Sequence, residues 1–192
     1  MIRYLHFDCE MGGRDLHYSL LTAYFMVTDD KFKVLGELCL SLKPDDDNYI
    51  VSGQGMSVNG INLQAHDKIA LPYKQAKPLL FNFLKQQSNG SHLTPVGHGI
   101  RGDIDHVIDK LISRGSWEQF CTYHYIDTSV VLQFLRACDK MPHDTDGSVS
   151  ALATYFGIQI QGDLHDAKVD TQLTAAVYQK MIELGKATLI CC

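Results

Sequence analysis

The chain has 192 residues, enough for one domain of ordinary size with a sizeable core. Hydrophobic residues make up 45% of it and charged residues 20%, which is a typical globular balance. The net charge of -5 argues against a broad basic surface for long duplex DNA, because phosphate binding needs clustered Lys and Arg.

No apolar run approaches the roughly 20 residues that span a membrane, and the sequence shows no signal peptide. The six cysteines form no Cys-x-x-Cys pair and no zinc-ligand spacing. These cysteines are Cys9, Cys39, Cys121, Cys138, Cys191 and Cys192. We therefore expect reduced thiols, a cytoplasmic location and no membrane partner.

Three segments near the N-terminus, residues 2–9, 20–27 and 34–42, are rich in aliphatic and aromatic side chains. A polar break at residues 29–31 separates the second from the third. This pattern predicts an antiparallel meander of three strands.

The middle of the chain is less regular. Glycines and polar residues at 50–71 indicate connecting structure with short helices. Apolar residues at three- and four-residue spacing predict a helix over 73–84, in which Pro78 marks either a kink or the true start.

The second half alternates strands and helices. Strands are predicted at 93–98 and 123–126. Helices are predicted at 103–112, 127–138, 149–156 and 166–184. The second of these should bury Val130, Val131, Phe134 and Leu135. The element order predicts a single α/β domain over residues 1–192, with a mixed sheet flanked by helices.

Asp8 and Glu10 lie at the end of the first predicted strand. Side chains two residues apart on a strand point the same way, so both carboxylates should face one side. Such a pair repels unless a cation lies between its members, and a divalent metal ion is the usual solution. The alternative is a pair of solvated strand-end charges.

Three later segments carry acids or imidazoles where a helix is predicted to begin, namely Gly97–Asp105, Asp127 and His165–Asp170. Each has an ordinary structural explanation, because an Asp that precedes a helix has the profile of an N-cap. By that explanation Asp127 and Asp166 cap helices, and a single histidine such as His98 is a packed or surface side chain.

Together the motifs resemble those of the DEDDh family of 3′→5′ exonucleases, which includes oligoribonuclease, ribonuclease T and proofreading subunits. Asp8–Met11 is similar to the first family motif, Gly97–Asp103 to the second, and His165–Asp170 to the third in its histidine form. Their order and separations also agree, so the resemblance covers nearly the whole chain. It implies a ribonuclease H-like fold, an α/β fold with a mixed five-stranded sheet.

The resemblance also implies roles for single residues. The implied metal-binding acids are Asp8, Glu10, Asp103 and Asp170. Asp103 is preferred to Asp105 because it lies five positions after His98, the spacing of the second motif. Two divalent ions, Mg²⁺ or Mn²⁺, suit such hard oxygen ligands and the hydrolysis of a phosphodiester.

His165 would be the general base, since an imidazole exchanges protons near neutral pH. Within one helix, His165 and Asp170 would point about 140° apart. We therefore expect His165 on the loop before the last helix and Asp170 on its first turns.

Substrate binding is implied for Met11, Gly12 and His98. Gly12 stands where relatives often have Thr, and Gly102 stands where many proofreading members have an aromatic residue. Both departures concern substrate preference rather than the metal ligands.

The expected function is therefore a two-metal 3′→5′ exonuclease that releases nucleoside 5′-monophosphates from single-stranded or short RNA or DNA. The alternatives are another metal-dependent phosphohydrolase and an inactive nucleic-acid-binding relative. The sequence does not separate RNA from DNA, because no motif identifies contacts to a 2′-OH. A homodimer is expected only from the resemblance to oligoribonuclease-like members.

Overall fold

The computed structural model describes residues 2–159, 162 and 165–186. The strands of this part are β1 (Arg3–Met11), β2 (Leu20–Asp29), β3 (Val34–Lys43), β4 (Leu71–Pro72), β5 (Thr94–Gly97) and β6 (Ile126–Asp127). The helices are α1 (Gly53–Asn59), α2 (Leu63–His66), α3 (Tyr73–Ser88), α4 (Arg101–Lys110), α5 (Arg114–Phe120), α6 (Thr128–Ala137), α7 (Val149–Tyr155) and α8 (Ala167–Lys186).

The strands form one mixed sheet in the order β4-β3-β2-β1-β5-β6. The first three are antiparallel, whereas β5 runs parallel to β1 and β6 runs parallel to β5. This confirms the predicted α/β class and the N-terminal meander. The described sheet has six strands rather than five, because Leu71 and Pro72 pair with the end of β3. Two residues are too short a run to leave a strand pattern in the sequence.

Side-chain alternation along β1 separates two layers. Leu5, Phe7 and Cys9 enter a core shared with α3, α4 and α5. The residues between them face the opposite layer, where Tyr24, the partner of Asp8 across the ladder, packs with Ala167 of α8. The main core therefore lies on one face of the sheet, and α8 covers the acids on the other.

The connecting segment between β3 and α3 contains short helices, as predicted. The Ser52 hydroxyl caps α1 by accepting from the Gly55 amide at 2.9 Å, and the Asn62 side chain caps α2. Helix α3 begins at Tyr73, so Pro78 lies inside it and does not mark its start.

In the second half, one helix was missed and two predictions are wrong. Helix α5 was not predicted, although Ser113 caps it and Trp117 anchors it in the core. The segment 123–125 is not a strand, and Tyr123 is 85% exposed. On α6 the buried face contains Leu132 and Leu135. Val130 and Phe134, predicted to be buried, are instead exposed.

Cys9 and Cys121 are buried, Cys39 and Cys138 are exposed, and all four thiols are free. Cys191 and Cys192 lie outside the described residues. Within residues 2–159 and 165–186, no helix combines the length and the apolar character that a membrane span requires.

Candidate active site

Three of the predicted acids meet beside the end of β1. Each of Asp8, Glu10 and Asp170 offers a carboxylate oxygen, and these oxygens lie within 4.8 Å of one another. The first two come from alternate positions of β1, and Asp170 comes from the first turn of α8. The sheet and the helix thus bring together residues that are about 160 positions apart in the sequence.

Asp103 approaches the same place from α4. Strands β1 and β5 are parallel neighbours, so the helix that follows β5 begins at the edge where β1 ends. Asp103 lies on its first turn, is 7% exposed and raises the pKa of Asp8 by charge repulsion. It stands outside the group of three oxygens within 4.8 Å. Asp105, the alternative acid, points elsewhere and pairs with Arg101 Nε at 2.9 Å.

Few positive charges or hydrogen-bond donors balance the negative charge of the four carboxyl groups. Burial, followed by repulsion from Asp170 and Asp103, raises the pKa of Glu10 to about 8. Burial also raises the pKa of Asp103 to about 7, against the opposing effect of backbone amides at Asp103 and Cys9. The pKa of Asp8 is raised well above its usual range by burial and by Asp103, and burial raises that of Asp170. In the described part of the chain, no Lys or Arg forms an ion pair with these acids.

Acids in this state either hold protons or share a cation, because a buried charge without a partner is costly. The donor set contains only carboxylates, the hard oxygen ligands that Mg²⁺ and Mn²⁺ prefer. The residues present therefore fit a divalent metal ion.

His165 lies on the loop immediately before α8, as predicted, and Asp170 lies on the first turn of that helix. The amide of His165 donates to Asp170 Oδ2 at 3.1 Å, which ties the loop to the acid group. His165 has a φ of 65°, a left-handed conformation that non-glycine residues rarely adopt and that clusters at functional sites. Asp166 caps α8 by accepting from the amides of Lys168 and Val169, as its structural interpretation predicted.

Two cavities flank Glu10. One, of about 350 Å³, lies between β2, β3 and the start of α8 and is bordered by Tyr24, Ser41 and His165. The other, of about 290 Å³, lies between the end of β1 and α1 and is bordered by Met11 and Arg14. The two cavities share Glu10 in their walls, and together they are called the groove beside Glu10.

Asn59 borders both cavities, and its Nδ2 donates to the Met11 carbonyl at 3.0 Å. The sequence analysis did not find it, because no motif or charge marks a single Asn at the end of a short helix.

The structure gives a packing reason for a glycine at position 12. A Cβ at this position would lie 2.7 Å from the Ile50 carbonyl oxygen and 2.9 Å from Val51 Cα. A Cβ on Gly55 of α1 would lie 2.4 Å from the Gly12 carbonyl oxygen. Two glycines therefore let α1 approach the end of β1. The ladder between β1 and β2 also shifts register between Glu10 and Met11.

His98 is not part of the acid group. Its Nδ1 lies 2.9 Å from the Thr128 hydroxyl, and burial lowers its pKa. Asp127 caps α6 through the Ser129 amide and also accepts from the Gly99 amide, both at 2.9 Å. The N-cap interpretation of Asp127 is thus confirmed, whereas the role of His98 in substrate binding stays a prediction.

Solved structures with the same fold include several nucleases. E. coli exonuclease I in complex with a dT13 oligonucleotide aligns over 98% of this chain with a TM-score of 0.74 and 16% identity. The nuclease domain of 3'hExo, a DEDDh family member bound to rAMP, aligns over 95% with a TM-score of 0.68 and 12% identity. The fold is that of the DEDDh exonucleases.

The exonuclease I from Methylocaldum szegediense also has this fold, with a TM-score of 0.71 and 21% identity over 95% of the chain. The chain spans 41% of that protein and 43% of the E. coli enzyme, but it aligns with 91% of the 3'hExo nuclease domain. No protein-family model and no curated protein sequence matches it. The DEDDh exonuclease fold is thus recognised through the structure.

Proposed function

We propose that this protein is a metal-dependent 3′→5′ exonuclease that hydrolyses phosphodiester bonds at the 3′ end of single-stranded or short nucleic acid. The observation that carries the proposal is the convergence of four desolvated acids, with an imidazole on the adjoining loop. The shared fold supports it, since one neighbour is bound to a single-stranded oligonucleotide and another to a nucleoside monophosphate.

Asp8, Glu10, Asp103 and Asp170 would hold two divalent ions, Mg²⁺ or Mn²⁺. Such ions polarise the phosphoryl oxygens, lower the pKa of a bound water and stabilise the leaving oxygen. The acids must lose their protons to bind metal, and their raised pKa values make that loss dependent on pH.

His165 would accept a proton from the attacking water. The hydrogen bond from its backbone amide to Asp170 keeps His165 beside the acids. Its position before α8 leaves its side chain exposed at the cavity. A general base needs this combination of reach to the water and connection to the metal ligands.

The terminal nucleotide would lie in the groove beside Glu10. Each cavity has the volume of a small-molecule site, and Asn59 joins the two. Lys168 borders the larger cavity, with its Nζ 5.8 Å from the centre of the Tyr24 ring. This lysine and Arg14 of the smaller cavity offer cations to the phosphate backbone on either side of Glu10. We further propose that residues 1–192 act as one exonuclease domain; a homodimer and a cytoplasmic location stay predictions.

The test uses oligonucleotides labelled near the 5′ end and at the 3′ nucleotide, in matched RNA and DNA, with and without Mn²⁺. The expected result is metal-dependent release of labelled nucleoside 5′-monophosphate and a ladder that shortens from the 3′ end. Asp105→Asn is the matched control, because this acid lies on the same helix as Asp103 but pairs with Arg101. Cleavage of a small phosphomonoester alone would favour another phosphohydrolase, and binding without cleavage would favour an inactive relative.

A further inference from the structure

A separate cavity, of about 410 Å³, lies on the far side of α4 from the acids. Arg101 and Ile108 of this helix border it, whereas Asp103 approaches the acids. Arg101 and Asp103 are two positions apart, so their side chains leave the helix about 200° from each other. The cavity has the volume of a small-molecule site and is larger than either cavity beside Glu10. It therefore lies outside the candidate active site, although one helix borders both.

The floor of this cavity is apolar. Pro95 of β5, Ile104 of α4 and Trp117 of α5 border it, and all three residues are buried. A ligand that fills the cavity covers this floor most favourably with an apolar group, such as a ring, because apolar contact removes both surfaces from water.

The loop between α5 and β6 places an aromatic ring at the rim. Tyr123 borders the cavity and is 85% exposed, the highest value among the large hydrophobic side chains of the described residues. Its backbone is held on both sides, because the Thr122 amide donates to the Leu93 carbonyl at 2.8 Å and Ile126 pairs with Val96 in the sheet. A ring on a fixed backbone loses little freedom when a second ring covers it. Every nucleobase offers such a ring, and it stacks on an aromatic side chain whatever the base is.

Two arginines supply positive charge to the same cavity. Arg101 Nε is held by Asp105 Oδ2 at 2.9 Å, whereas Arg114 forms no ion pair with any of the described residues. A guanidinium without an acid partner can bind a phosphate through two parallel N–H···O bonds. Glu118, one turn after Arg114, also borders the cavity. Two cations and two acids balance, so the cavity suits a single phosphate rather than a run of phosphates, which needs clustered cations.

We propose that this cavity is a second nucleotide-binding site, in which a nucleobase stacks on Tyr123 and its phosphate binds Arg114. The ligand is defined by a flat heteroaromatic ring joined to one phosphate. Two sources share this chemistry, namely a free nucleoside monophosphate and a nucleotide within a single strand whose 3′ end lies elsewhere. The second source rests on the proposed function, and the first does not.

The test uses the fluorescence of Trp117, which is the single tryptophan of the chain and borders the cavity. The metal-free protein is titrated separately with a nucleoside 5′-monophosphate, a short single-stranded oligonucleotide and inorganic phosphate. We expect a saturable change of emission with a nucleotide ligand and no comparable change with inorganic phosphate. Tyr123→Ala and Arg114→Gln should each raise Kd about 10-fold, because they remove the stacking ring and the phosphate ligand.

Both substituted side chains are exposed, so the variants should fold as the wild-type protein does. Tyr155→Ala is the matched control, because Tyr155 is also exposed but does not border the cavity, and it should leave Kd unchanged. Arg14→Gln alters the cavity beside Glu10 and should also leave the response of Trp117 unchanged. This second control separates the proposed site from the candidate active site.

Saturation by the monophosphate would identify a free nucleotide as the ligand, and saturation by the oligonucleotide alone would identify a single strand. In the second case Tyr123→Ala should raise KM for a long oligonucleotide more than for a dinucleotide. The proposal is overturned if neither ligand gives a saturable change of emission or heat, if inorganic phosphate binds equally well, or if Tyr123→Ala and Arg114→Gln bind as the wild-type protein does. If the wild-type protein cleaves no oligonucleotide, the proposed function fails, and the titrations still decide whether this cavity binds a nucleotide.

Discussion

Two junctions where a strand end meets the start of a helix carry an Asp with a His nearby, yet their environments differ. Strand β6 leads directly into α6, whereas the end of β1 meets α8 only in space. At the junction of β6 and α6, Asp127 accepts from the amides of Gly99 and Ser129 at 2.9 Å and from the Ser129 hydroxyl at 2.6 Å. At the end of β1, Asp8 and Glu10 face other carboxylates, and their pKa values are raised.

The difference separates an acid whose negative charge the protein itself stabilises from acids that lack such partners. Hydrogen-bond donors around Asp127 stabilise its charge within the protein, so it needs no external partner. The acids at β1 are desolvated with too few donors, and they gain most from a cation that enters from solution. The residue types are the same at both junctions, so the number of donors that reach each carboxylate separates them.

The largest expected difference between the two junctions appears when one acid at each is replaced by Asn. Asp8→Asn should lower the rate of oligonucleotide hydrolysis about 10⁴-fold, because bound metal supplies several kcal/mol of transition-state stabilisation. Asp127→Asn keeps a capping side chain and should change the rate by less than about 3-fold. Single-turnover kinetics measure both. Equal losses in the two variants would remove the distinction between the junctions.

Removing the imidazole beside the acids should have the next largest effect. His165→Ala should lower turnover about 10²- to 10⁴-fold while leaving Mn²⁺ affinity nearly intact, because His165 contributes only its backbone amide to Asp170. His165→Gly is the companion variant, since glycine adopts a φ of 65° readily, and it should melt at a higher temperature than the Ala variant. Unchanged turnover in both would exclude His165 from the reaction.

The metal-free protein should lose stability as the pH rises from 6.5 to 8. A carboxyl with a raised pKa keeps a proton in the folded state that it loses on unfolding. The stability gained from Glu10 is therefore complete below its unfolded value near 4.5 and is lost as the pH rises through about 8. The free energy of unfolding should fall by about 1 kcal/mol or more across this window.

Denaturant titrations at several pH values measure this slope. Glu10→Gln should reduce it, and Asp8 and Asp103, whose pKa values are also raised, should account for the rest. Burial lowers the pKa of His6 to about 3, so the stability linked to His6 is present above 6.5 and lost as the pH falls toward 3. Above pH 6.5, His6 therefore does not contribute to the change of stability with pH. Saturating Mn²⁺ should abolish the decline, and a slope that is unchanged in Glu10→Gln would assign the decline to other groups.

The smallest expected effect is at the junction of β6 and α6, where hydrogen-bond donors surround Asp127. Asp127→Ala removes the cap of α6 and the partner of the Gly99 amide, so the free energy of unfolding should fall by about 1–2 kcal/mol. The affinity of the folded protein for Mn²⁺ should not change. Weakened metal binding, measured by titration, would show that this junction belongs to the site.

Much of the fold could be predicted because its strands and long helices have clear sequence periods. The limits appear on α6, where Val130, Val131, Leu132, Phe134 and Leu135 surround more than one face of the helix. Periodicity alone could not select the buried side, and the packing against α7 and α8 selected Leu132 and Leu135. Helix α5 has only an N-cap, Ser113, and two buried side chains, Trp117 and Phe120. This pattern is too short to predict a helix from the sequence.

The acids of the site could be predicted for a different reason. Their motifs are local, and the parallel pairing of β1 with β5 places distant motifs at one edge. The walls of the groove have no such signal. Asn59 and Tyr24 become lining residues only because α1 and α8 pack beside β1, which is a consequence of tertiary structure.

The register shift after Glu10 has a consequence for which parts of this region can change in sequence. Up to Glu10, the ladder with β2 holds Asp8 and Glu10 in place, and beyond it Met11 and Gly12 are held by α1. A β-bulge of this kind absorbs a change in the loop without moving the strand before it. Insertions between Met11 and Leu20 can therefore reshape the cavity beside Glu10 while Asp8 and Glu10 keep their places on β1.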